Sequence, residues 1–512
     1  MREQSPNARA LVVGLIALLV AIAGHWHIHL GYIDRINTAS VPPDPPRRMV
    51  DLGLVHPAAA TRVHIVLIDG LGYDHAMALP AFRALASEGV SRVLMADFPS
   101  FTDPNVRAMA TGRPPLWSGV RINGLPPYPA WDTITRRAED SGIVVRADGE
   151  DYPRIGGLFS LSEKTRFTRT RDLLAAPAPV RSLDIFYFGL VDDVGHEHGS
   201  ASAEYHDAAV LADAFLARVV AGVDRATDAI FVMSDHGHMP EGGHGGAEPD
   251  VRRAVFVAAG RGVAKVGALP PASMRDVAST LAASLAIPAP KDAIGEPMLD
   301  VLADPEGKAL APPHDDAHAR EQDLVMTDDF AAHARLRILI AGGVAAFAVA
   351  LGMWWLGRAS EIRLRARDAL PALVHGLVFA TLYAAMGYRI SWSIKRSEIV
   401  FEVHTLLFGV LAALAAMKIG KLARRVEEAI VTTTLYGVAI VLEVAWIGID
   451  TRFIAGPRAS FFVFVLVTCH FYVGIASAFA VFRPFFSRLR FGVAMVGTAC
   501  LVMAPIVYRM IK

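Results

Sequence analysis

The distribution of apolar residues constrains this chain more than any other feature of its sequence. Near the C-terminus six apolar stretches follow one another, each close to the ~20 residues that a helix needs to cross the hydrocarbon core of a bilayer. They cover residues 336–356, 370–388, 399–417, 429–449, 460–482 and 491–508. The pattern predicts a membrane domain of six helices over residues 335–512.

A further apolar segment lies near the N-terminus. Residues 10–24 carry no charge, and residues 1–32 are therefore predicted to form a membrane anchor. The alternative is a cleaved signal peptide, since Ala21-Ile22-Ala23 has the small residues of a cleavage site. Either interpretation sends the following segment across the membrane.

The connecting loops predict the orientation of these spans, because Lys and Arg favour cytoplasmic loops. With the N-terminus inside, the three loops on its side carry Arg358, Arg363, Arg365, Arg367, Lys418, Lys421, Arg424, Arg425, Arg483, Arg488 and Arg490. The opposite loops carry only Arg389, Lys395, Arg396, Arg452 and Arg458. The sequence therefore predicts a multi-pass inner-membrane protein whose globular domain, residues 45–320, lies outside the cytoplasm, in the periplasm of a Gram-negative host.

Composition excludes two classes of function. Lys and Arg total 50, as do Asp and Glu, so no global basic field is available to hold a nucleic acid. The two cysteines, Cys469 and Cys500, both lie in apolar runs. A disulfide framework and a cysteine-based zinc module are therefore both excluded.

The globular segment alternates between strand and helix patterns. Short apolar runs at residues 63–68, 143–145, 185–190, 229–233 and 255–258 are typical of strands buried on both faces, and helical patterns cover residues 203–226 and 274–285. This order predicts a doubly wound α/β fold with a mostly parallel sheet. Asp69, Asp192 and Asp235 follow or end such runs, where α/β folds place their chemistry.

Polar residues with the chemistry of metal ligands gather at these positions. A two-metal site needs six or seven carboxylate, imidazole or hydroxyl ligands. The candidates are Asp69, Thr102, Asp192, His196, Asp235, His236 and His244.

Two pairs of these candidates are spaced so that both members of a pair could bind one ion. A tight turn at Gly195 could bring Asp192 and His196 to one metal, and Asp235 and His236 could meet at a strand end. Taken singly, each residue is as well explained by a turn or a loop. The complete set in one domain favours a metal centre.

Five motifs in order resemble the alkaline phosphatase superfamily. They are Ile68-Asp69-Gly70-Leu71, Pro99-Ser100-Phe101-Thr102-Asp103-Pro104-Asn105, Asp192-Asp193-Val194-Gly195-His196, Ser234-Asp235-His236-Gly237 and Gly243-His244-Gly245-Gly246. Within that superfamily the chain resembles the nucleotide pyrophosphatase/phosphodiesterase branch. The resemblance is strongest to the glycosylphosphatidylinositol ethanolamine phosphate transferases.

The resemblance implies an alkaline-phosphatase-like domain with two divalent ions, zinc at both sites or manganese at one. One ion would be held by Asp69, Thr102, Asp235 and His236, and the other by Asp192, His196 and His244. Thr102 would be the nucleophile and Asn105 would donate a hydrogen bond to a phosphoryl oxygen. The motifs assign no role to Asp193, His198 or His238, and Asp193 could compete with Asp192 for the metal.

Several functions share this ligand set. The first is a phosphotransferase that moves a phosphoethanolamine-like head-group from a phospholipid donor to a glycan or lipid hydroxyl through a phosphothreonine. The second is a phosphodiesterase or phosphatase that hydrolyses nucleotides or head-group phosphodiesters. A membrane scaffold without metal is disfavoured by the complete set, and a sulfatase is disfavoured because Thr102 occupies the nucleophile position. Six helices beyond the anchor favour the transferase.

Overall fold

The computed structural model describes residues 59–120, 123, 131–148, 154–162, 164–175, 181–246, 248–312, 370–386, 393, 404, 407, 408 and 411. These residues belong to two compact units. Those between 59 and 312, with residue 393, belong to one unit, and the others belong to the second. The predicted domain boundaries at residues 32, 45, 320 and 335 lie outside the described residues and stay predictions.

The first unit is built on a mixed β-sheet. Its described strands are β1 (Arg62–Ile68), β2 (Val90–Met95), β3 (Val144–Asp148), β4 (Arg166–Thr168), β5 (Ser182–Phe188), β6 (Ala229–Met233), β7 (Arg253–Gly260), β8 (Gly267–Ala268) and β9 (Ala272–Ser273). They are arranged in the order β4-β3-β5-β1-β6-β7-β2-β8, and β9 pairs with β2.

The sheet is mostly parallel, as the sequence predicted. Strand β1 pairs in parallel with β5 and β6, and β3 pairs in parallel with β4 and β5. Strand β7 differs, because it runs antiparallel to both β6 and β2. The expectation of a parallel strand at residues 255–258 is therefore wrong.

Helices cover both faces of the sheet. Those described in this unit are α1 (Tyr73–Met77), α2 (Pro80–Glu88), α3 (Thr102–Thr111), α4 (Pro115–Ser118), α5 (Ile134–Asp140), α6 (Arg154–Phe159), α7 (Thr170–Ala175), α8 (Leu190–His198), α9 (Ala203–Ala221), α10 (Pro249–Arg252) and α11 (Asp276–Ser284). The two helices predicted from periodicity are present as α9 and α11. Helix α9 ends five residues earlier than predicted, and α11 begins two residues later and ends one residue earlier.

Strand β1 divides the hydrophobic core into two layers. Its side chains alternate, so that Val63 and Ile65 pack into one cluster with α3, α5, α6 and α11. Val66 and Ile68 pack into the other with α1, α2 and α9. Burying each of these side chains contributes about 1.5–3 kcal/mol to folding. The strand is thus fixed from both sides, and so is the position of Asp69 directly after it.

Strand β2 has no counterpart among the predicted strands. Its sequence contains Arg92, a residue that interrupts the apolar run on which the prediction relied. Arg92 is fully buried and forms two hydrogen bonds with the carboxylate of Asp300, at 2.9 and 3.0 Å. A buried charge is tolerated when it is paired in this way. The partner lies 208 residues away in the sequence, so a local pattern could not reveal it.

The second unit contains one described helix, α12 (Leu370–Ala385), within the predicted span 370–388. The N-terminal segment and the five other predicted spans lie outside the described residues, apart from isolated residues at 404, 407, 408 and 411. Among the helices that the structure describes, none combines the length and the apolar character that crossing a membrane requires.

Candidate metal centre

Three acidic residues meet at the carboxyl edge of the sheet. Asp69 follows β1, Asp235 follows β6 by one residue, and Asp192 lies in α8, which follows β5. Because β1 pairs in parallel with both β5 and β6, the carboxyl ends of the three strands lie at the same edge. Asp69 and Asp235 are buried, and the Asp192 side chain is 14% exposed.

The first group of side chains surrounds the hydroxyl of Thr102. The Oγ1 atom of Thr102 lies 3.4 Å from Asp69 Oδ1 and 3.2 Å from His236 Nε2. His236 Nε2 also lies 3.4 Å from Asp69 Oδ1 and 3.3 Å from Asp235 Oδ2. Thr102 is itself buried. A hydroxyl, two carboxylates and an imidazole therefore converge.

The second group surrounds Asp192. His244 Nε2 lies 3.4 Å from Asp192 Oδ1 and 3.0 Å from His196 Nε2. His196 Nε2 lies 3.7 Å from Asp192 Oδ2. A residue outside the predicted ligand set, His238, makes the shortest of these histidine contacts with Asp192, with its Nε2 atom 2.9 Å from Oδ1.

The two groups are in contact. His236 Nε2 lies 3.7 Å from Asp192 Oδ1, and the rings of His236 and His244 stack with centroids 3.7 Å apart. All seven residues that the sequence offered as ligands thus belong to one site. Asp193 differs from its neighbour Asp192, because it is exposed. That the seven bind metal stays a prediction.

The site has the electrostatics of a cation-binding pocket. Burial, and then the neighbouring Asp69 carboxylate, raise the pKa of Asp235 well above its ordinary value. Burial disfavours the charged form of His236, but Asp235, Asp69 and Asp192 together outweigh it and raise its pKa to about 10. Clustered carboxylates repel one another, and a positive charge between them relieves the repulsion.

The donor set fits divalent ions of the zinc type. One donor atom from each of Asp69, Asp235 and His236 lies within 4.8 Å of the others, and the same holds for Asp192, His236, His238 and His244. Asp235 Oδ2 is buried and has no hydrogen-bond partner among the described residues. Carboxylate oxygens and imidazole nitrogens are ligands of zinc, and zinc or manganese would suit them.

The segment from Asp192 to His196 was expected to form a tight turn, and this expectation is wrong. The two residues lie one turn apart on helix α8, which runs through Gly195 without a break. Residues four apart on a helix share a face, so both side chains reach the same site from the helix. Gly195 instead leaves room for the ring of His238, because a Cβ atom at this position would lie 2.5 Å from His238 Cδ2.

Thr102 is the first residue of α3, a ten-residue helix. The backbone N–H groups of a helical first turn have no partners within the helix, and together with the helix dipole they favour anions. In α3, Asp103 N–H donates to Asn123 Oδ1 at 2.9 Å, and Pro104 has no N–H. Asn105 N–H donates to the Phe101 carbonyl at 3.3 Å. Within the part of the chain that the structure describes, the N–H of Thr102 is the group of this turn that remains for a ligand. The nucleophile candidate therefore lies where a phosphoryl group would be electrostatically favoured.

Asn105 has surroundings that the sequence did not indicate. It is fully buried, its Oδ1 accepts from Asp97 N–H at 2.7 Å, and its Nδ2 donates to the carbonyls of Pro99 and Phe101. These bonds hold the turn that precedes Thr102. The expected contact of Asn105 with a phosphoryl oxygen stays a prediction. A second asparagine, Asn123, also lies beside the first turn of α3, and its side chain is only partly buried.

Two residues at the site carried no usable sequence signal. Tyr187, in β5, donates its hydroxyl to Asp69 Oδ2 at 2.6 Å. In the sequence it is one of several aromatic residues in an apolar strand. His238 was visible as an additional histidine after the Asp235-His236 pair, but its partner Asp192 lies 46 residues away.

The segment that contains the site is similar to a known protein family. Residues 63–125 and 129–278 match the model of the type I phosphodiesterase / nucleotide pyrophosphatase family. This match contains every residue of the two groups around Thr102 and Asp192. Over this segment the chain resembles that family, as the motifs indicated.

One relative of described function is similar over a longer stretch. The human protein named GPI ethanolamine phosphate transferase 2, catalytic subunit, is 26% identical over 287 residues. The aligned part is 50% of this chain and 29% of the human protein, so the chain spans less than a third of that relative.

Solved structures with a similar fold were also found. Murine ectonucleotide pyrophosphatase / phosphodiesterase 5 is 16% identical, with 44% of this chain and 95% of that chain covered and a TM-score of 0.39. Wild-type alkaline phosphatase PafA is 11% identical, with 48% and 99% covered and a TM-score of 0.38. A 2-O GAG sulfatase is 15% identical, with 50% and 76% covered and a TM-score of 0.41.

Proposed function

We propose that this protein transfers a phosphoethanolamine-like head-group from a phospholipid to a hydroxyl of a glycan or lipid. The observation that carries the proposal is the position of Thr102, whose hydroxyl lies beside Asp69 and His236 at the start of a helix. The similarity to a human protein named as an ethanolamine phosphate transferase supports the choice of head-group.

The reaction would proceed in two displacements at phosphorus. The Thr102 hydroxyl loses its proton and its oxygen attacks the phosphodiester. The bond from phosphorus to the glyceride oxygen breaks, and diacylglycerol leaves after taking up a proton. The head-group phosphate is then esterified to Thr102. A hydroxyl of the acceptor loses its proton and attacks the same phosphorus, and the released Thr102 oxygen takes up a proton. Covalent catalysis of this kind divides one difficult displacement into two easier ones.

The residues of the site have distinct tasks in this scheme. Asp69, Asp235, His236 and Thr102 would hold one divalent ion, and Asp192, His196 and His244 the other. When bound, such ions lower the pKa of a coordinated hydroxyl and neutralise charge on a phosphoryl group. Asp69 and His236 orient the Thr102 oxygen. The backbone N–H of Thr102, at the start of α3, would donate to a phosphoryl oxygen.

Hydrolysis is the second candidate function. The matching family is named for phosphodiesterases and nucleotide pyrophosphatases, in which water accepts the phosphoryl group. The same Thr102 chemistry serves both reactions, and only the second nucleophile differs. The six apolar stretches after residue 335 favour a lipid substrate and thus the transferase.

We further propose that the chain is a multi-pass membrane protein with its catalytic domain outside the cytoplasm. The support is in the sequence, namely the length of the apolar stretches and the excess of Lys and Arg in alternate loops. A catalytic domain on that side would work on the outer leaflet of the membrane, where a glycan or lipid acceptor is available.

A labelling experiment tests the function. The full-length protein in lipid nanodiscs, supplied with zinc, is incubated with phosphatidylethanolamine radiolabelled in its head-group and with a crude envelope extract. Label on a new lipid or glycan is the expected result. Release of free phosphoethanolamine would favour the hydrolase, and the absence of both products would contradict both candidates.

A further inference from the structure

His238 is a buried histidine for which the predicted metal centre has no task. It follows the Asp235-His236 pair by two residues and is 1% exposed. Its Nε2 atom lies 2.9 Å from Asp192 Oδ1, a hydrogen-bond distance. Its other ring nitrogen, Nδ1, is buried and has no hydrogen-bond partner among the described residues.

The chain leaves room for this ring on two sides. A Cβ atom on Gly195 would lie 2.5 Å from the Cδ2 atom of His238, and one on Gly70 would lie 2.9 Å from Nε2. Both distances are too short for any side chain, so only glycine fits at either position. The backbone of His238 is fixed as well, because its carbonyl accepts a hydrogen bond from Ser200 Oγ at 3.0 Å.

Asp192 needs such a neighbour more than the other carboxylates do. It lies on the outer face of the site on α8, with its side chain 14% exposed, whereas Asp69 and Asp235 are 2% and 0% exposed. The other histidines contact it at 3.4 to 3.7 Å. Only His238 approaches within the range of a direct hydrogen bond.

The tautomer of His238 follows from its contacts. A neutral imidazole carries one N–H, and an ionised carboxylate only accepts hydrogen bonds. The proton must therefore be on Nε2, which donates to Asp192. With that proton in place, Nε2 has no lone pair for a metal ion, and Nδ1 faces the protein interior.

From this geometry we infer that His238 is a positioning residue: its Nε2–H fixes the Asp192 carboxylate in the orientation in which it binds the second divalent ion. The inference rests on the metal centre of the proposed function. Residues that orient a metal ligand through a hydrogen bond change metal affinity by about 10–100-fold when they are removed. His238 would thus act on the ion without contacting it.

Three variants of the full-length protein in detergent test this role. His238→Ala removes the donor, and the second zinc ion should bind about 10–100-fold more weakly. His238→Gln keeps an amide N–H donor of similar reach and should restore most of that affinity. Gly195→Ala keeps the His238 residue but pushes its ring away from Asp192. This variant should bind the second zinc ion more weakly, while helix α8 persists.

A matched control is available on the same helix. His198 has a side chain that is 38% exposed, and its Nε2 lies 3.7 Å from Glu197 rather than beside Asp192. His198→Ala should therefore bind both ions as the wild type does. Zinc affinity is measured by competition with a chromophoric chelator, and the coordination sphere by the visible spectrum of the Co²⁺-substituted protein.

The outcomes separate the alternatives. Weak second-site binding in His238→Ala and Gly195→Ala, with recovery in His238→Gln and the wild-type Co²⁺ spectrum in the filled site, supports the positioning role. Unchanged binding in His238→Ala overturns it. Weak binding in both His238 variants with an altered Co²⁺ spectrum also overturns it and makes His238 a ligand. A wild-type protein that binds no zinc contradicts the proposed function as well.

Discussion

Thr102 and Asn105 lie on the same turn of α3 but in different surroundings. Thr102 faces the carboxylates and imidazoles of the site, whereas the amide of Asn105 bonds to the turn of residues 97–101. Sequence placed both at the reaction centre because they share a motif. The spacing of a motif does not distinguish a residue that contacts substrate from one that holds the loop.

Replacing Asn105 and Asn123 in turn separates a residue that holds the loop from one that lies beside the predicted substrate position. Asn105→Ala leaves buried backbone groups of residues 97–101 unpaired, so we expect a loss of about 1–3 kcal/mol of stability for each unsatisfied group. Asn123→Ala removes a single, partly buried hydrogen bond, that from Asp103 N–H, and should cost less stability while lowering turnover. Pulse proteolysis in urea and the transfer assay measure the two effects. Equal loss of stability in both variants would contradict this division.

Tyr187 donates to Asp69 Oδ2 at 2.6 Å, while Oδ1 of the same carboxylate faces Thr102. Hydrogen bonds to a charged group contribute about 1.5–3 kcal/mol. Tyr187→Phe should therefore weaken binding of the first metal ion by roughly 10–100-fold. Competition with a chelator measures the affinity for this ion, and wild-type affinity in the variant would contradict a role for the Tyr187 hydroxyl.

At the scale of elements, sequence patterns succeeded where strands are uniformly apolar. Strands β1 and β6 were predicted within one residue, because both are buried on both faces. Strand β2 was missed because of its buried Arg92, and the strand direction of β7 was wrong because periodicity carries no information on direction. Helix α8 was predicted as a turn because Gly195 was taken as a breaker. Its glycine instead makes room for His238.

A second buried charged group is centred on His64 in β1 and contains none of the predicted metal ligands. His64 Nδ1 is 3.1 Å from Asp184 Oδ2 on β5, and its Nε2 is 3.6 Å from Asp228 Oδ2 before β6. Arg146 forms two hydrogen bonds with Asp184, and Arg62 pairs with Asp228. Burial opposes protonation of His64, but the two carboxylates outweigh it and raise its pKa above 6.5.

This group makes the stability of the sheet depend on pH. A histidine whose pKa is raised on folding stabilises the folded state fully below its unfolded pKa, and the stabilisation is lost as the pH rises through the folded pKa. The free energy of unfolding should therefore fall as the pH rises above about 6.5. His64→Gln should cost about 1–3 kcal/mol at pH 6, because each carboxylate loses the His64 contact but keeps its arginine.

The comparison uses pulse proteolysis of the full-length protein in urea across this pH range. The metal ligands contribute equally to both proteins, so the difference between wild type and His64→Gln isolates His64. That difference should shrink as the pH rises. A difference that stays constant from pH 6 to pH 9 would show that protonation of His64 does not contribute.

At the scale of the whole molecule, the charge asymmetry of the apolar half predicts which loops face the cytoplasm. With Cys469 and Cys500 replaced by Ala, Glu361→Cys lies in a predicted cytoplasmic loop and Asp450→Cys in a predicted external loop. An impermeant maleimide applied to intact spheroplasts should label only the Asp450→Cys protein. Labelling of Glu361→Cys before lysis would contradict the predicted orientation.

The proposed reaction depends most directly on a covalent phosphoryl group on Thr102. Full-length protein with zinc is mixed with phosphatidylethanolamine, quenched in acid during turnover, and the peptide containing Thr102 is analysed by mass spectrometry. We expect a phosphoethanolamine adduct on Thr102, and in Thr102→Ala no adduct, with zinc still bound and turnover reduced by roughly 10³-fold or more. Wild-type turnover without an adduct, or turnover retained in Thr102→Ala, would contradict the account.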